Sequence, residues 1–283
     1  MTKPTVGVIG AGTIGRSVAH ALAVTGHRVL LVDTAQEILD DALAKVRREL
    51  RFARLLGADA AQDDAGALAR ITPTVSLAPL AEADFVIENS TEDWEVKRAV
   101  YRELEAACRP GVVFAANTSC VPVAKLAAET ARPELVLGMH FMNPVPHKPV
   151  VEVIRGALTA DSTVERAEQL LAGMGKSGVL VNDSPGFVSN RVLMLAVNEA
   201  AFLVQEGVAG PAEVDRIFTS CFGHPMGMLA TADLIGIDTV LLSIEMLEQS
   251  FADPKYRPCP LLKEMVAKGH LGKKSGQGFF SYA

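Results

Sequence analysis

The chain has 283 residues, with 27 Lys and Arg against 33 Asp and Glu, a formal net charge of −6. At roughly 150 residues per domain this predicts two domains, and a chain of this length buries about three quarters of its unfolded surface without disulfide or metal staples. A hydrophobic share of 49% with 21% charged residues excludes disorder, and the acidic balance argues against a nucleic-acid partner. The four cysteines, Cys108, Cys120, Cys221 and Cys259, form no CxxC pair. That spacing predicts reduced thiols and no zinc site. No apolar run reaches the roughly 18 residues of a membrane span; the best candidate, residues 192–204, carries Asn198 and Glu199. Gly10, Gly12 and Gly15 interrupt the first apolar stretch, which argues against a signal peptide. The expectation is a soluble, cytoplasmic protein without a membrane or nucleic-acid partner.

In chain order, residues 5–9 are a short apolar run, followed by glycines and a helical stretch to Val24; residues 28–32 are a second apolar run. Leu39, Leu43, Val46, Leu50 and Ala53 then recur at steps of four and three, one face of a helix. Strand patterns follow over residues 84–87, 112–116, 135–140, 150–154 and 177–181, with helices over 92–108 and from about Asp161. Strands alternating with helices predict an α/β domain with a mostly parallel sheet covered on both faces. After Asp183 the pattern changes. Pro185 suits the first turn of a helix, residues 187–205 are a long helical run closed by Gly207, and helices are expected over 211–221, 235–250 and 261–268. The predicted organisation is an N-terminal domain over 1–183 and an all-helical C-terminal domain over 184–283.

Gly10-Ala11-Gly12-Thr13-Ile14-Gly15 follows the first strand and opens the first helix. In a GxGxxG loop the glycines serve a tight turn, close backbone approach to a pyrophosphate, and close helix–strand packing. The unpaired N–H groups of the helix start favour the anion. The second strand ends at Asp33, 23 residues after Gly10, the spacing of a ribose-binding acid. Its carboxylate would accept from ribose hydroxyls and repel a 2′-phosphate, and no Arg follows it, so NAD is expected rather than NADP. A structural turn with a capping Asp is the plainer alternative.

His140 ends a strand, and Glu152 lies within the next apolar run. An acid in such a run requires a partner. A His–Glu pair makes a general base, the carboxylate fixing the tautomer and stabilising the imidazolium. A core histidine beside an edge glutamate fits the same spacing. His20, His27, His147, His224 and His270 are expected at the surface or at caps, and none completes a metal site.

These residues carry a resemblance. The chain is similar to the 3-hydroxyacyl-CoA dehydrogenase family, in particular its short 3-hydroxybutyryl-CoA dehydrogenase type, over essentially its whole length. The motifs are GAGTIG at 10–15, Asn-Thr-Ser at 117–119, HFMNP at 140–144, VEVIRG around Glu152, DSPGFVSNR at 183–191, GHPMG at 223–227, DPKYRPCPLL at 253–262 and LGKKSGQGFFSY at 271–282. The resemblance implies a Rossmann-like NAD domain, a helical C-terminal domain that mediates homodimerisation, and oxidation of an L-3-hydroxyacyl thioester. It implies His140 as general base with Glu152 as its partner, Ser119 as the hydroxyl near the reacting oxygen, and Asn190 as the amide that orients substrate. Glu92, Lys97 and Asn117 resemble cofactor contacts, and Asn143 is expected in the same pocket.

The chain also departs from the family pattern. Cys120 stands where a second serine is usual, Asn89-Ser90-Thr91 where small apolar residues are common, and Met228 where a proline often follows GHPMG. Relatives tend to carry a lysine-rich stretch after the second helix, where the CoA phosphates are met. Here no lysine occurs between 46 and 96, and Arg47, Arg51 and Arg54 form a stripe on one helix flank. Such guanidinium forks clamp phosphate or meet an acidic acyl carrier protein; a solvated flank is the plain alternative. Two further readings accompany the first. One is a dehydrogenase for a hydroxyacyl group on an acyl carrier protein in polyketide extender-unit biosynthesis. The other is a catalytically silent NAD-binding or structural relative, against which the intact His140, Glu152, Ser119 and Asn190 count.

Overall fold

The computed structural model describes residues 3–55, 64–119 and 121–282, without the side chains of 53–55 and 64. The chain divides into two compact units between Ser184 and Pro185. The N-terminal unit is built on β1 (Thr5–Ile9), α1 (Thr13–Val24), β2 (Arg28–Val32), α2 (Gln36–Leu55), α3 (Asp64–Ala69), β3 (Ile71–Thr74) and β4 (Phe85–Glu88). It continues with α4 (Trp94–Ala107), β5 (Val113–Ala116), α5 (Val123–Ala127), β6 (Val136–His140), β7 (Val150–Arg155), α6 (Asp161–Gly173) and β8 (Ser177–Asn182).

The eight strands form one sheet in the order β3-β2-β1-β4-β5-β6-β7-β8. All neighbours are parallel except β6 and β7. The sheet is therefore mostly parallel, as the alternation of strands and helices implied. Its continuous Val, Ile and Leu runs are those of strands buried on both faces: β4 and β5 are buried along their whole lengths. Of the apolar face expected on α2, Leu39, Val46 and Leu50 are buried and Leu43 is half-buried against the same core, while the Ala53 side chain lies outside the described residues; Ala42 is buried with them. The strand order reverses between β1 and β4, and such a reversal opens a crevice beyond the carboxyl ends of the strands.

Several elements differ from the sequence expectation, and in two the cause is local. β3 was not anticipated, because Pro73 interrupts a four-residue run; the strand sits at the sheet edge, where a missing N–H costs no ladder bond. The helix expected to hold Pro185 in its first turn begins at Ser189, because Gly186 and Phe187 adopt φ of 73° and 47°.

The C-terminal unit carries α7 (Ser189–Gln205), α8 (Pro211–Cys221), α9 (Met228–Ile235), α10 (Ile237–Phe251) and α11 (Pro260–Ala267). Among its described residues no named strand occurs, only isolated bridges at Gly272–Gln277 and Gln277–Ser281. Three buried polar side chains, Asp215, Asp233 and Asn198, hold segments at or beside its sequence motifs. Asp215 accepts from the backbone N–H of Leu229 and Ala230 at the start of α9, and Asp233 accepts from Phe279 N, Phe280 N and the Tyr282 hydroxyl. Burial and that carboxylate push the Tyr282 phenol up to about 12. Asn198 binds Arg257 O and Cys259 N, holding the segment before α11.

Candidate active site

The crevice at the β1/β4 reversal is built by the glycine loop. Gly10 has φ of +87°, and a Cβ there would lie 2.6 Å from Asn89 O. A Cβ on Gly15 would lie 1.8 Å from Gly10 O, so α1 can close on the loop only with glycine. At Gly12 a Cβ would meet nothing within 4 Å: the backbone there faces open space. Gly12 is the N-cap of α1, with no side-chain cap and no acid in the first turn, which leaves the helix N–H groups to an anion. Thr13 and Ile14 follow in that turn. Asp33 closes one side. Its Oδ2 accepts from Ala11 N at 2.6 Å and its Oδ1 from Thr34 N at 2.7 Å, so the carboxylate is held against the loop.

A cleft of about 520 Å³ is lined by Gly10, Gly12, Asp33, Asn89 and Ser90, with apolar walls from Ile38, Val75, Leu77, Val96 and Val100. Ile38, Val75 and Val96 are large apolar residues left exposed, which suits the face of a heteroaromatic ring. The sequence reading missed these walls; exposed apolar positions at a helix start and a strand end were their only signal. Dinucleotide chemistry fits this set: an uncapped helix start for the pyrophosphate, an acid for ribose hydroxyls, and an apolar slot for a base.

Three strand ends carry the second part. His140 is the last residue of β6 and Glu152 is its direct partner on antiparallel β7. His140 Nδ1 lies 3.0 Å from Glu152 Oε2, and His140 Nε2 lies 3.1 Å from Ser119 Oγ. His140 is 6% exposed. With the carboxylate accepting from Nδ1–H, the Nε2 lone pair faces the Ser119 hydroxyl, the arrangement of a general base beside a hydroxyl. Ser119 is placed in turn by Glu92, which accepts from Ser119 N and, at 2.6 Å, from the Thr118 hydroxyl. Asn117 follows β5; its Oδ1 accepts from Phe141 N at 3.0 Å and its Nδ2 donates to Asn89 at 2.8 Å.

The other expected residues are placed differently. Lys97 does not line the cleft: it is fully buried on α4, with its ammonium 2.9 and 3.1 Å from the oxygens of Glu88, which is equally buried. The resemblance made Lys97 a cofactor contact; in the structure its ammonium is held in an internal ion pair with Glu88. Asn143, expected with the cofactor contacts, lines a separate groove of about 620 Å³ along α1, with Arg16, His20, Glu49, Phe52 and His147. There Glu49 pairs with Arg16 at 3.4 Å and His20 at 3.1 Å. His20 is buried, not at the surface, and burial pulls its imidazole below the ordinary value despite Glu49. Arg47 and Arg51 are exposed and do not line this groove, whose α2 wall is Glu49 and Phe52; the Arg54 side chain lies outside the described residues, as does Cys120. Asn190 stands in the first turn of α7 in the C-terminal unit.

Family comparison agrees with this geometry. Residues 5–184 match the NAD-binding domain of 3-hydroxyacyl-CoA dehydrogenase, and residues 186–282 match the C-terminal domain of that enzyme. The chain belongs to the 3-hydroxyacyl-CoA dehydrogenase family. It is an NAD-dependent oxidoreductase of that family, as the motifs implied. The probable 3-hydroxybutyryl-CoA dehydrogenase of Bacillus subtilis is 42% identical over 97% of this chain and 96% of its own. The 3-hydroxybutyryl-CoA dehydrogenase of Bradyrhizobium diazoefficiens is 41% identical over 98% of this chain and 94% of its own. The crystal structure of (S)-3-hydroxybutyryl-CoA dehydrogenase from Ralstonia eutropha superposes with a TM-score of 0.95 at 42% identity, covering 99% of each chain.

Proposed function

We propose that this enzyme oxidises the 3-hydroxyl of an L-3-hydroxyacyl-CoA, with 3-hydroxybutyryl-CoA as its first candidate substrate. The observation that carries the reading is the line Ser119–His140–Glu152 at the ends of β5, β6 and β7. Gly10, Gly12, Thr13, Ile14, Gly15 and Asp33 would hold NAD, and the chemistry NAD supplies when bound is acceptance of the hydride from C3 of the substrate. His140 Nε2 takes the hydroxyl proton as the C3–O bond becomes a carbonyl. Glu152 holds the ring by Nδ1–H and offsets the charge that develops on it. The Ser119 hydroxyl donates to the oxygen as negative charge gathers there. In the reductive direction His140 returns the proton as an acid. Asn190 keeps the substrate-orienting role that the family motif implies.

The finer partner assignments rest on surface features. Arg47 and Arg51 remain the proposed carrier contacts, for a CoA phosphate first and an acyl carrier protein second. In the C-terminal unit Val192, Ile217, Phe222, Leu234 and Leu242 are exposed apolar side chains, which supports a homodimer through that unit. Among the described residues no helix is long and apolar enough to cross a membrane, and a cytoplasmic location is kept as a proposal. The test is NADH formation on L-3-hydroxybutyryl-CoA; turnover supports the reading, and none with this or longer acyl chains overturns it.

A further inference from the structure

Asn89 stands at a junction that the reaction scheme above does not use. Its backbone N–H donates to Ile9 O at 2.7 Å, which presses its carbonyl against Gly10 of the cofactor loop. Its side chain runs the other way. Asn89 Nδ2 donates to Ile87 O at 2.9 Å, and Asn89 Oδ1 accepts from Asn117 Nδ2 at 2.8 Å. Asn117 Oδ1 then accepts from Phe141 N at 3.0 Å, one residue beyond His140. The regular β5–β6 pairing ends at Ala116 and Gly138, so at His140 and Phe141 the Asn117 side chain stands in for a missing ladder bond.

Polarity fixes this relay in one sense. Phe141 N can only donate, so Asn117 must turn its oxygen to it and its amide nitrogen to Asn89. Asn89 must then present its own oxygen, which leaves its nitrogen for the Ile87 carbonyl, an acceptor. Every bond in the chain is satisfied in this orientation alone. An alanine at position 89 offers Asn117 no acceptor, and the Asn117 amide loses the partner that fixes its direction.

We infer that Asn89 is a positioning residue: through Asn117 it fixes the end of β6 and hence the direction of the His140 ring toward Ser119. The inference rests on His140 being the base. Asn89 touches neither substrate nor the reacting atoms in this role, so the effect of the relay belongs in kcat and in the environment of the His140 ring; because Asn89 also lines the cofactor cleft, NAD affinity is followed separately.

The experiment compares Asn89→Ala, Asn89→Asp, Asn117→Ala and the Asn89→Ala/Asn117→Ala double variant with the wild type. The readouts are kcat on L-3-hydroxybutyryl-CoA, the isotope effect with substrate deuterated at C3, NAD affinity, and the ¹⁵N shifts of the His140 ring. Asn89→Ala is expected to lower kcat about tenfold, a modest misalignment of a reacting group, to raise the isotope effect and to move the His140 resonances. NAD affinity reads the separate contribution of Asn89 to the cofactor cleft, and retained NAD binding shows that the variant folds. Asn89→Asp keeps the acceptor for Asn117 but turns a carboxylate oxygen to the Ile87 carbonyl, so it should recover part, not all, of the loss seen in Asn89→Ala. The double variant should be no slower than Asn117→Ala, because residues acting through one relay are not additive. Unchanged kcat and His140 shifts in Asn89→Ala, a loss confined to NAD affinity, multiplying losses in the double variant, or an equal defect in Asn89→Asp would each overturn the inference. A wild type inactive on the thioester, with His140 shifts that still move in Asn89→Ala alone, would overturn the substrate reading and leave the positioning role standing.

Discussion

His140 and Glu152 are register partners on the one antiparallel strand pair among the described strands, and their side chains meet at 3.0 Å. The reversal of direction between β6 and β7 is what makes this possible. β7 returns beside β6, so the start of β7 comes alongside the catalytic end of β6. Glu152 thus faces the histidine at the crevice end of the sheet, where a parallel neighbour would present its own carboxyl end instead. His140 and Glu152 are separated by 12 residues in sequence, the length of that return.

Asp33 is the proposed determinant of cofactor preference. Its carboxylate is pinned by Ala11 N and Thr34 N, so it cannot swing away from a bulky anion. The wild type should turn over faster with NADH than with NADPH, and Asp33→Ala should narrow the gap. Equal kcat/KM for the two cofactors in the wild type would contradict this.

Lys97 and Glu88 make a wholly buried ion pair, and removing one partner leaves a charge without compensation. Lys97→Met should lower stability by about 3–5 kcal/mol, the usual cost of breaking a buried pair from one side. Urea unfolding checks it; a loss below about 1 kcal/mol would place the pair in contact with water.

Burial pulls His20 below its ordinary 6.5 against the opposing effect of Glu49, and burial, with Lys3 adding to it, does the same to His27. Both folded values lie below the unfolded one, so on acidification the unfolded chain takes up protons first. Their contribution to stability is complete above pH 6.5 and is lost as the pH falls below it. Tm should decrease between about pH 7 and pH 5.5, and His27→Gln should flatten the decline. A slope unchanged in His20→Gln and His27→Gln together would assign it to other groups.

Arg47 and Arg51 act, if they meet the carrier, at an exposed helix flank where salt screens them. Arg51→Glu should lower kcat/KM for a CoA thioester several-fold at low salt, with little effect on the same acyl group on pantetheine. An unchanged ratio would make the stripe a solvated surface.

Much of the sheet was legible because buried parallel strands read as unbroken apolar runs. Residues 6–9 and 29–32 carry that signal and fall within β1 and β2, whose first residues, Thr5 and Arg28, are polar and less buried. β3 was hidden by Pro73, which only an edge position tolerates. The helix expected over 235–250 is α10, while α9 was not anticipated; Gly236 alone, at φ of 107°, separates the two. At the site, the GxGxxG loop and Asp33 were readable from spacing, since the chemistry of pyrophosphate and ribose sets that spacing. Lys97 was not, because a lysine near a helix start carries the same signal whether it meets a ligand or a buried Glu88. Asn89 stood out only as a polar residue where apolar ones are usual. Its use depends on β4, β5 and β6 lying side by side, which no local pattern records.

The most direct test of the account is single-turnover NADH formation from L-3-hydroxybutyryl-CoA in wild type, His140→Ala and Glu152→Gln, with NAD affinity measured in parallel. The account predicts a loss in the chemical step of about two to four powers of ten for His140→Ala and a smaller but clear loss for Glu152→Gln, with NAD binding retained in both. Near-normal hydride transfer in His140→Ala would contradict it.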